Sequence, residues 1–219
     1  MSTLRRTIAA AAVALAGAAA LSSAPVVTAA APAPAAPAAP AAQASGYLPG
    51  ALPSSLEKKQ NDALQARLDA AIARAAADAK QGKSSSREAA QVIYYDDSNA
   101  PSFDALIDQS AAIWNSRVGN VQLVERDGAA SLTYYEGQDQ GSYYYGTGRG
   151  DGEIFIDYAQ ADQYAPLRIV SHETGHALGL PDRYTQPCSK LMSGGGAGTS
   201  CTNPNPDSVE AAEVNALWQ

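Results

Sequence analysis

Residues 171–182 read Ser171-His172-Glu173-Thr174-Gly175-His176-Ala177-Leu178-Gly179-Leu180-Pro181-Asp182, and His172 and His176 are the only two histidines of the 219-residue chain. On an α-helix turning about 100° per residue, they lie about 40° apart, one turn above the other, where two imidazoles can share one cation. Glu173 sits about 100° round from His172, beside such a cation but not aimed at it. A carboxylate there can take a proton from an attacking water. Leu167, Val170, Thr174, Ala177 and Leu178 fall on the opposite face. The helix can therefore pack on a core with its back and hold a metal with its front.

A catalytic zinc needs a third protein ligand and one open position. With no third histidine, that ligand is a carboxylate or a thiolate. Gly179 permits the left-handed turn that ends a helix and sends the chain back. Asp182, three residues later, is then the natural third ligand; an Asp or Glu elsewhere is the alternative. Cys188 and Cys201 are poorer candidates, because an exported chain pairs its cysteines.

Outward from this helix, which opens near Pro166, residues 90–219 read as a compact domain of ordinary size mixing strands and helices. Strands are expected at 91–95, 121–124, 131–135 and 153–157. A helix capped by Ser102 carries Phe103, Leu106, Ile107, Ala111 and Trp114, and a last helix runs from Ser208 to Trp218. The Gly-rich segment 141–152 around Tyr143-Tyr144-Tyr145 reads as an edge strand. Its tyrosines reflect either plain β-propensity or an edge that pairs with an extended substrate. Trp114 and Trp218 are expected in the core.

The N-terminal part differs in kind. Arg5 and Arg6 precede the uncharged, Ala-rich run 7–21, too short to span a bilayer, and Val27-Thr28-Ala29 offers a cleavage point, so residues 1–29 read as a signal peptide. Residues 29–44 are nearly all Ala and Pro, an extended linker. A helix follows from Ser54, with Glu57 at capping-box spacing and a stripe of Leu64, Leu68, Ala71, Ile72 and Ala75, ending at Gly82. The polar stretch 81–88 is where proteases cut. Residues 1–89 carry a net +4 and residues 90–219 a net −11. The acidic half argues against nucleic-acid binding. The basic segment 30–89 reads either as a tethering stalk or as a pro-segment that covers an acidic enzyme.

The motif His172-Glu173-x-x-His176-x-x-Gly179-x-x-Asp182, followed by Cys188-Ser189-Lys190-Leu191-Met192-Ser193-Gly194-Gly195, resembles the metzincin class. Within it the chain is similar to the snapalysins, small neutral metalloproteases secreted by Streptomyces, over about residues 90–219. The resemblance implies an α+β fold: a twisted, mostly parallel sheet with an antiparallel edge strand, a zinc helix, a Met-turn and a C-terminal helix. It implies one catalytic zinc on His172, His176 and Asp182, with Glu173 as base. It assigns Met192 to the Met-turn and Cys188 with Cys201 to a disulfide, and implies a preference for Tyr or Phe just after the scissile bond. Family members can also hold calcium through an Asp and a Thr at the entry to the zinc helix. Ala165 and Leu167 stand there and offer no side-chain oxygen, so calcium is not expected.

Tyr184, two residues past Asp182, should pass close to the metal. A phenol there can donate a hydrogen bond to the oxyanion without competing for zinc, and the resemblance also places a Tyr at this position. The alternative is a wall residue packed on the Met-turn. The expected protein is thus a secreted, monomeric zinc endopeptidase with a signal peptide (1–29), a pro-segment (30–89) and a catalytic domain (90–219). It acts on protein or peptide substrates, with a secreted proteinaceous inhibitor as a candidate partner and with neither nucleic acid nor membrane. The alternatives are an inactive binding protein on the same fold and a zinc hydrolase of cell-wall peptide.

Overall fold

A computed structural model describes residues 43–82 and 89–219. The expected signal peptide, most of the Ala/Pro linker and the connection 83–88 lie outside the described residues. The strands are β1 (Gln43–Gly46), β2 (Gln91–Asn99), β3 (Val121–Glu125), β4 (Leu132–Gly137), β5 (Tyr143–Gly146) and β6 (Gly152–Asp157). The helices are α1 (Ser54–Lys80), α2 (Asp104–Arg117), α3 (Tyr158–Gln163), α4 (Pro166–Ala177) and α5 (Ser208–Leu217), with a 3-10 stretch at Leu191–Ala197.

One sheet runs in the order β1-β5-β6-β4-β2-β3. β2 pairs in parallel with β3 and β4, and β4 with β6, while β5 is antiparallel to β6 and β1 to β5. This is the α+β architecture the sequence led us to expect, a mostly parallel sheet with an antiparallel edge. Alternation within the strands sends Ile93, Tyr95, Leu132, Tyr134, Ile154 and Ile156 into one core with Ile107, Trp114, Ile169 and Val170 of the helices.

α4 runs through the middle of this core, buried along its length from Arg168 to Ala177. Polar contacts fix its rotation. The Trp114 indole donates to the Ser171 carbonyl at 3.0 Å, and the Thr174 hydroxyl meets Ser110 and Tyr134 at 3.1 and 3.0 Å. Met192 packs so close beneath α4 that a Cβ on Gly175 would meet its sulfur at 2.6 Å.

Several local expectations are corrected. The capping box of Ser54 and Glu57 does not form. Pro53 takes the N-cap, and the Glu57 carboxylate accepts instead from the Gly50 amide at 3.0 Å. Ser102 does not cap α2; its amide and hydroxyl bind Glu136, and Phe103 is the N-cap. Ile72 is exposed rather than part of the buried stripe of α1, whose fourth buried member is Gln60. β1 and α3 were not legible in the sequence. A four-residue strand preceded by an Ala/Pro run carries no periodicity of its own.

α5 begins at Asp207 with a full capping box closed by Glu210. The wholly buried Glu210 also accepts from the amides of Leu191 and Met192 at 3.0 and 2.9 Å. One carboxylate therefore ties a helix start to the loop under α4. Glu210→Gln keeps one acceptor oxygen and turns an NH2 donor toward the amide that had bonded the other. It should lower unfolding free energy by about 2–4 kcal/mol, read by urea denaturation. A loss below about 0.5 kcal/mol would remove Glu210 from this role.

Candidate active site

α4 presents His172 and His176 from consecutive turns. It then ends in a Schellman turn: Leu180 N–H bonds the Gly175 carbonyl at 3.0 Å and Gly179 N–H the His176 carbonyl at 2.9 Å. Gly179 takes φ 104°, and a Cβ there would crowd the Gly148 carbonyl at 3.1 Å. The reversal returns Asp182 to the histidines. His172 Nε2 and His176 Nε2 are 3.0 Å apart, and they lie 3.2 and 3.1 Å from Asp182 Oδ1.

The ring tautomers follow from the other nitrogens. His172 Nδ1 contacts the Leu191 carbonyl at 3.0 Å and His176 Nδ1 the Leu180 carbonyl at 2.7 Å. A carbonyl only accepts, so each Nδ1 carries the proton and each Nε2 a lone pair. Three lone pairs then face one another in a buried triangle, an arrangement that a cation among them relieves. The spacing also fits zinc. Ligands about 2.0 Å from a tetrahedral centre are about 3.3 Å apart. The residues present therefore suit a metal ion of this kind, with His172, His176 and Asp182 as the atoms that could hold it.

Both carboxylate oxygens of Glu173 are buried without a hydrogen-bond partner. Burial foremost, and the Asp182 charge next, push its carboxyl well above the usual range. The backbone of Tyr144 and Tyr47 approaches it without closing a hydrogen bond, the Tyr47 amide donating instead to the Ser142 carbonyl at 3.1 Å. Burial opposes ionisation of Asp182; His176 and His172, when protonated, would lower its carboxyl.

Beneath the triangle, Cys188 and Cys201 are joined in a disulfide, which removes both thiolates as ligands. The loop they bracket carries Met192 and is gripped by Arg168, which sequence reasoning missed. Its fully buried guanidinium donates to Asn203 O at 2.5 Å, Lys190 O at 3.0 Å and Ser193 Oγ at 2.9 Å. A signal existed: Arg168 stands one turn before His172, a charge on the metal-facing stripe of the helix. Ala165, the N-cap of α4, and Leu167 in its first turn offer no side-chain oxygen.

The mouth of the site is filled by residues preceding 90. β1 adds to the tyrosine edge strand β5. The ring of the fully buried Tyr47 sits edge-on to His172 and to Tyr164, each at 5.3 Å between centroids. Asn61 Oδ1 of α1 accepts from the Asp182 amide at 2.6 Å. The Tyr184 hydroxyl lies 2.6 Å from the Gly46 carbonyl and 2.9 Å from Glu57 Oε1, while Arg183 turns away to Glu213. Burial, then the charges of Asp182 and Glu57, raise the Tyr184 phenol, which therefore keeps its proton.

Comparison with known proteins places the part of the chain that carries the site in a family. Residues 90–219 match the model of the Streptomyces extracellular neutral proteinase (M7) family. The chain is 54% identical over 140 residues, 64% of its length, to an extracellular small neutral protease of Streptomyces lividans, and the match spans 62% of that protein. It is 58% identical over 127 residues to the extracellular small neutral protease of Streptomyces caespitosus, covering 58% of this chain and 96% of that one. A Streptomyces coelicolor protein of the same description is 53% identical over 130 residues, with 59% of this chain and 60% of that protein covered. With its whole site inside the matched region, the chain belongs to the Streptomyces extracellular neutral proteinase (M7) family.

Proposed function

We propose that this protein is a secreted, zinc-dependent endopeptidase, made as a precursor whose signal peptide (1–29) and pro-segment (30–89) precede the catalytic domain (90–219). The observation that carries the reading is the buried triangle of His172, His176 and Asp182 with an unpartnered Glu173 beside it. The family match begins at residue 90, which supports that boundary, and the relatives' description as extracellular supports export. Among the described residues no helix is long and apolar enough to cross a membrane.

In this reading His172, His176 and Asp182 hold the zinc, oriented by the carbonyls of Leu191 and Leu180. The chemistry such an ion supplies when bound is Lewis acidity toward the scissile carbonyl and a lowered pKa for the attacking water. Glu173 takes the water proton and delivers it to the leaving amide nitrogen. Tyr184 donates its phenolic hydrogen to the carbonyl oxygen as negative charge grows there. A preference for Tyr or Phe after the scissile bond is supported by the seat that Tyr47 takes between His172, Tyr164 and Arg168. The substrates are protein chains bound extended along β5.

Chelation should abolish casein hydrolysis by the matured protein, and one equivalent of zinc should restore it. Glu173→Gln should keep one zinc per chain by elemental analysis and lose about 10²–10⁴ in rate. Loss of its zinc would make Glu173 a ligand instead of a base. Asp182→Ala should weaken zinc affinity by more than about 100-fold in a competition titration. Unchanged affinity would move the third ligand elsewhere.

Tyr184→Phe keeps the ring and removes the donor. With full zinc occupancy and normal thermal stability, its kcat should fall by about 10²–10³. A kcat within about threefold of the parent would leave Tyr184 a wall residue.

A further inference from the structure

The segment in the site is laid out as a reacting chain rather than as a plug. Upstream, Gln43–Gly46 pairs antiparallel with β5, Gly46 opposite Tyr143. Downstream, the Tyr47 carbonyl accepts from Gly195 N–H at 2.8 Å, on the loop that forms the other wall. Gly194 passes tightly between them; a Cβ on it would lie 2.5 Å from the Tyr47 carbonyl and 3.0 Å from His172 Cε1. The chain crosses from one wall to the other at Tyr47, directly after the Gly46–Tyr47 peptide bond, since the Tyr47 amide still bonds the Ser142 carbonyl beside β5. The two sides of that bond meet different chemistry. The Gly46 carbonyl receives the Tyr184 hydroxyl at 2.6 Å, while the Tyr47 amide donates to the Ser142 carbonyl at 3.1 Å with the Glu173 carboxylate nearby.

The side chains agree. Gly46 carries nothing to obstruct the edge, where a Cβ would meet that of Ala51 at 3.0 Å. The Tyr47 ring is wholly enclosed, with its hydroxyl beside Arg168. Two buried atoms left without a formal partner are the Tyr47 hydroxyl and Arg168 Nε, an acceptor and a donor in one pocket. Glu57 also contacts the Tyr184 hydroxyl, and a phenol has one hydrogen to give. The hydrogen is thus shared between the Gly46 carbonyl and a carboxylate of α1, which slows the chemistry without removing its geometry.

We infer that the Gly46–Tyr47 peptide bond lies in the scissile position and is the first bond this protein cuts, within its own chain. The inference rests on the endopeptidase reading above and adds a defined substrate and the way the precursor opens. Water adds to the Gly46 carbonyl carbon, and one of its protons passes through Glu173 to the Tyr47 nitrogen. The C–N bond then breaks, leaving a carboxylate on Gly46 and an amino terminus on Tyr47. The new carboxylate shares the Tyr184 hydroxyl with the Glu57 carboxylate, and like charges at that range repel, which favours departure of residues before 47 from the cleft.

The test uses the full chain, isolated metal-free in chelator and then supplied with zinc. Intact mass and N-terminal sequencing should show a first new terminus at Tyr47-Leu48-Pro49-Gly50, formed at a first-order rate independent of protein concentration over about a 100-fold range. The Glu173→Gln chain should bind zinc, stay uncut and keep the Tyr47 amide protected from hydrogen exchange. Tyr47→Asp, which sets a charge in the closed pocket, should slow the cut at least about tenfold, while Tyr47→Phe should stay within about threefold. A first cut elsewhere, a rate proportional to concentration, or a Tyr47 amide that exchanges freely in Glu173→Gln would overturn the inference. Casein hydrolysis is measured in parallel after trypsin, cutting at Arg87 and then blocked with a serine-protease inhibitor, has released residues before 88. Casein cut with Gly46–Tyr47 intact in the precursor refutes the inference and leaves the endopeptidase standing; casein uncut refutes both.

Discussion

The candidate site depends first on how α4 stops. The Schellman turn at Gly179 does two things with one backbone reversal. It brings Asp182 within 3.2 Å of both histidine nitrogens, and it sets the Leu180 carbonyl against His176 Nδ1. The ligand and the group that orients a ligand are thus products of the same turn. A positive φ at a position also crowded by Gly148 leaves little choice but glycine. Had the helix run on, His172 and His176 would be a pair of lone pairs facing solvent.

The floor under that turn is polar rather than oily. Arg168 gathers acceptors from residues 190, 193 and 203, and Glu210 gathers donors from residues 191 and 192. Each is fully buried, and each has its cost of burial offset by several charge-assisted hydrogen bonds. Between them they set the height of the Leu191 carbonyl, which orients His172, and the depth of Met192, which supports α4 at Gly175. The disulfide of Cys188 and Cys201 closes the same loop, so its freedom is limited covalently as well as by charge.

The edge strand shows how one surface serves two ends. β5 offers an unpaired backbone rim beside the histidines, and such a rim pairs with any extended chain of suitable shape. Residues 43–46 take it here. The strand Tyr143-Tyr144-Tyr145 has one side in the core and one rim taken by the chain itself. The Tyr144 ring is core, with its hydroxyl bonded to the Asp151 carbonyl, while the backbone of the same strand pairs with an extended segment.

The local spacings were readable without coordinates. Four residues between histidines, a glycine three later and an aspartate three after that follow from helix pitch and one turn type, so α4, its end and the triangle could be read from Ser171 to Asp182. Strand alternation likewise located the strands that carry Ile93, Leu132 and Ile154, while their mostly parallel order was implied by the family resemblance. What the linear order could not carry were contacts between distant segments. The Ser54–Glu57 and Ser102 signals failed because Glu57 and Glu136 found partners that a local window does not contain. The roles of Arg168 and Glu210 exist only once the loop at 190–194 lies between them. Most of all, an Ala/Pro-flanked Gly46–Tyr47 has no periodicity to reveal it. Its meaning comes from a rim, a hydroxyl and a carboxylate contributed by residues 143–146, 184 and 173, and only folding brings those to one point.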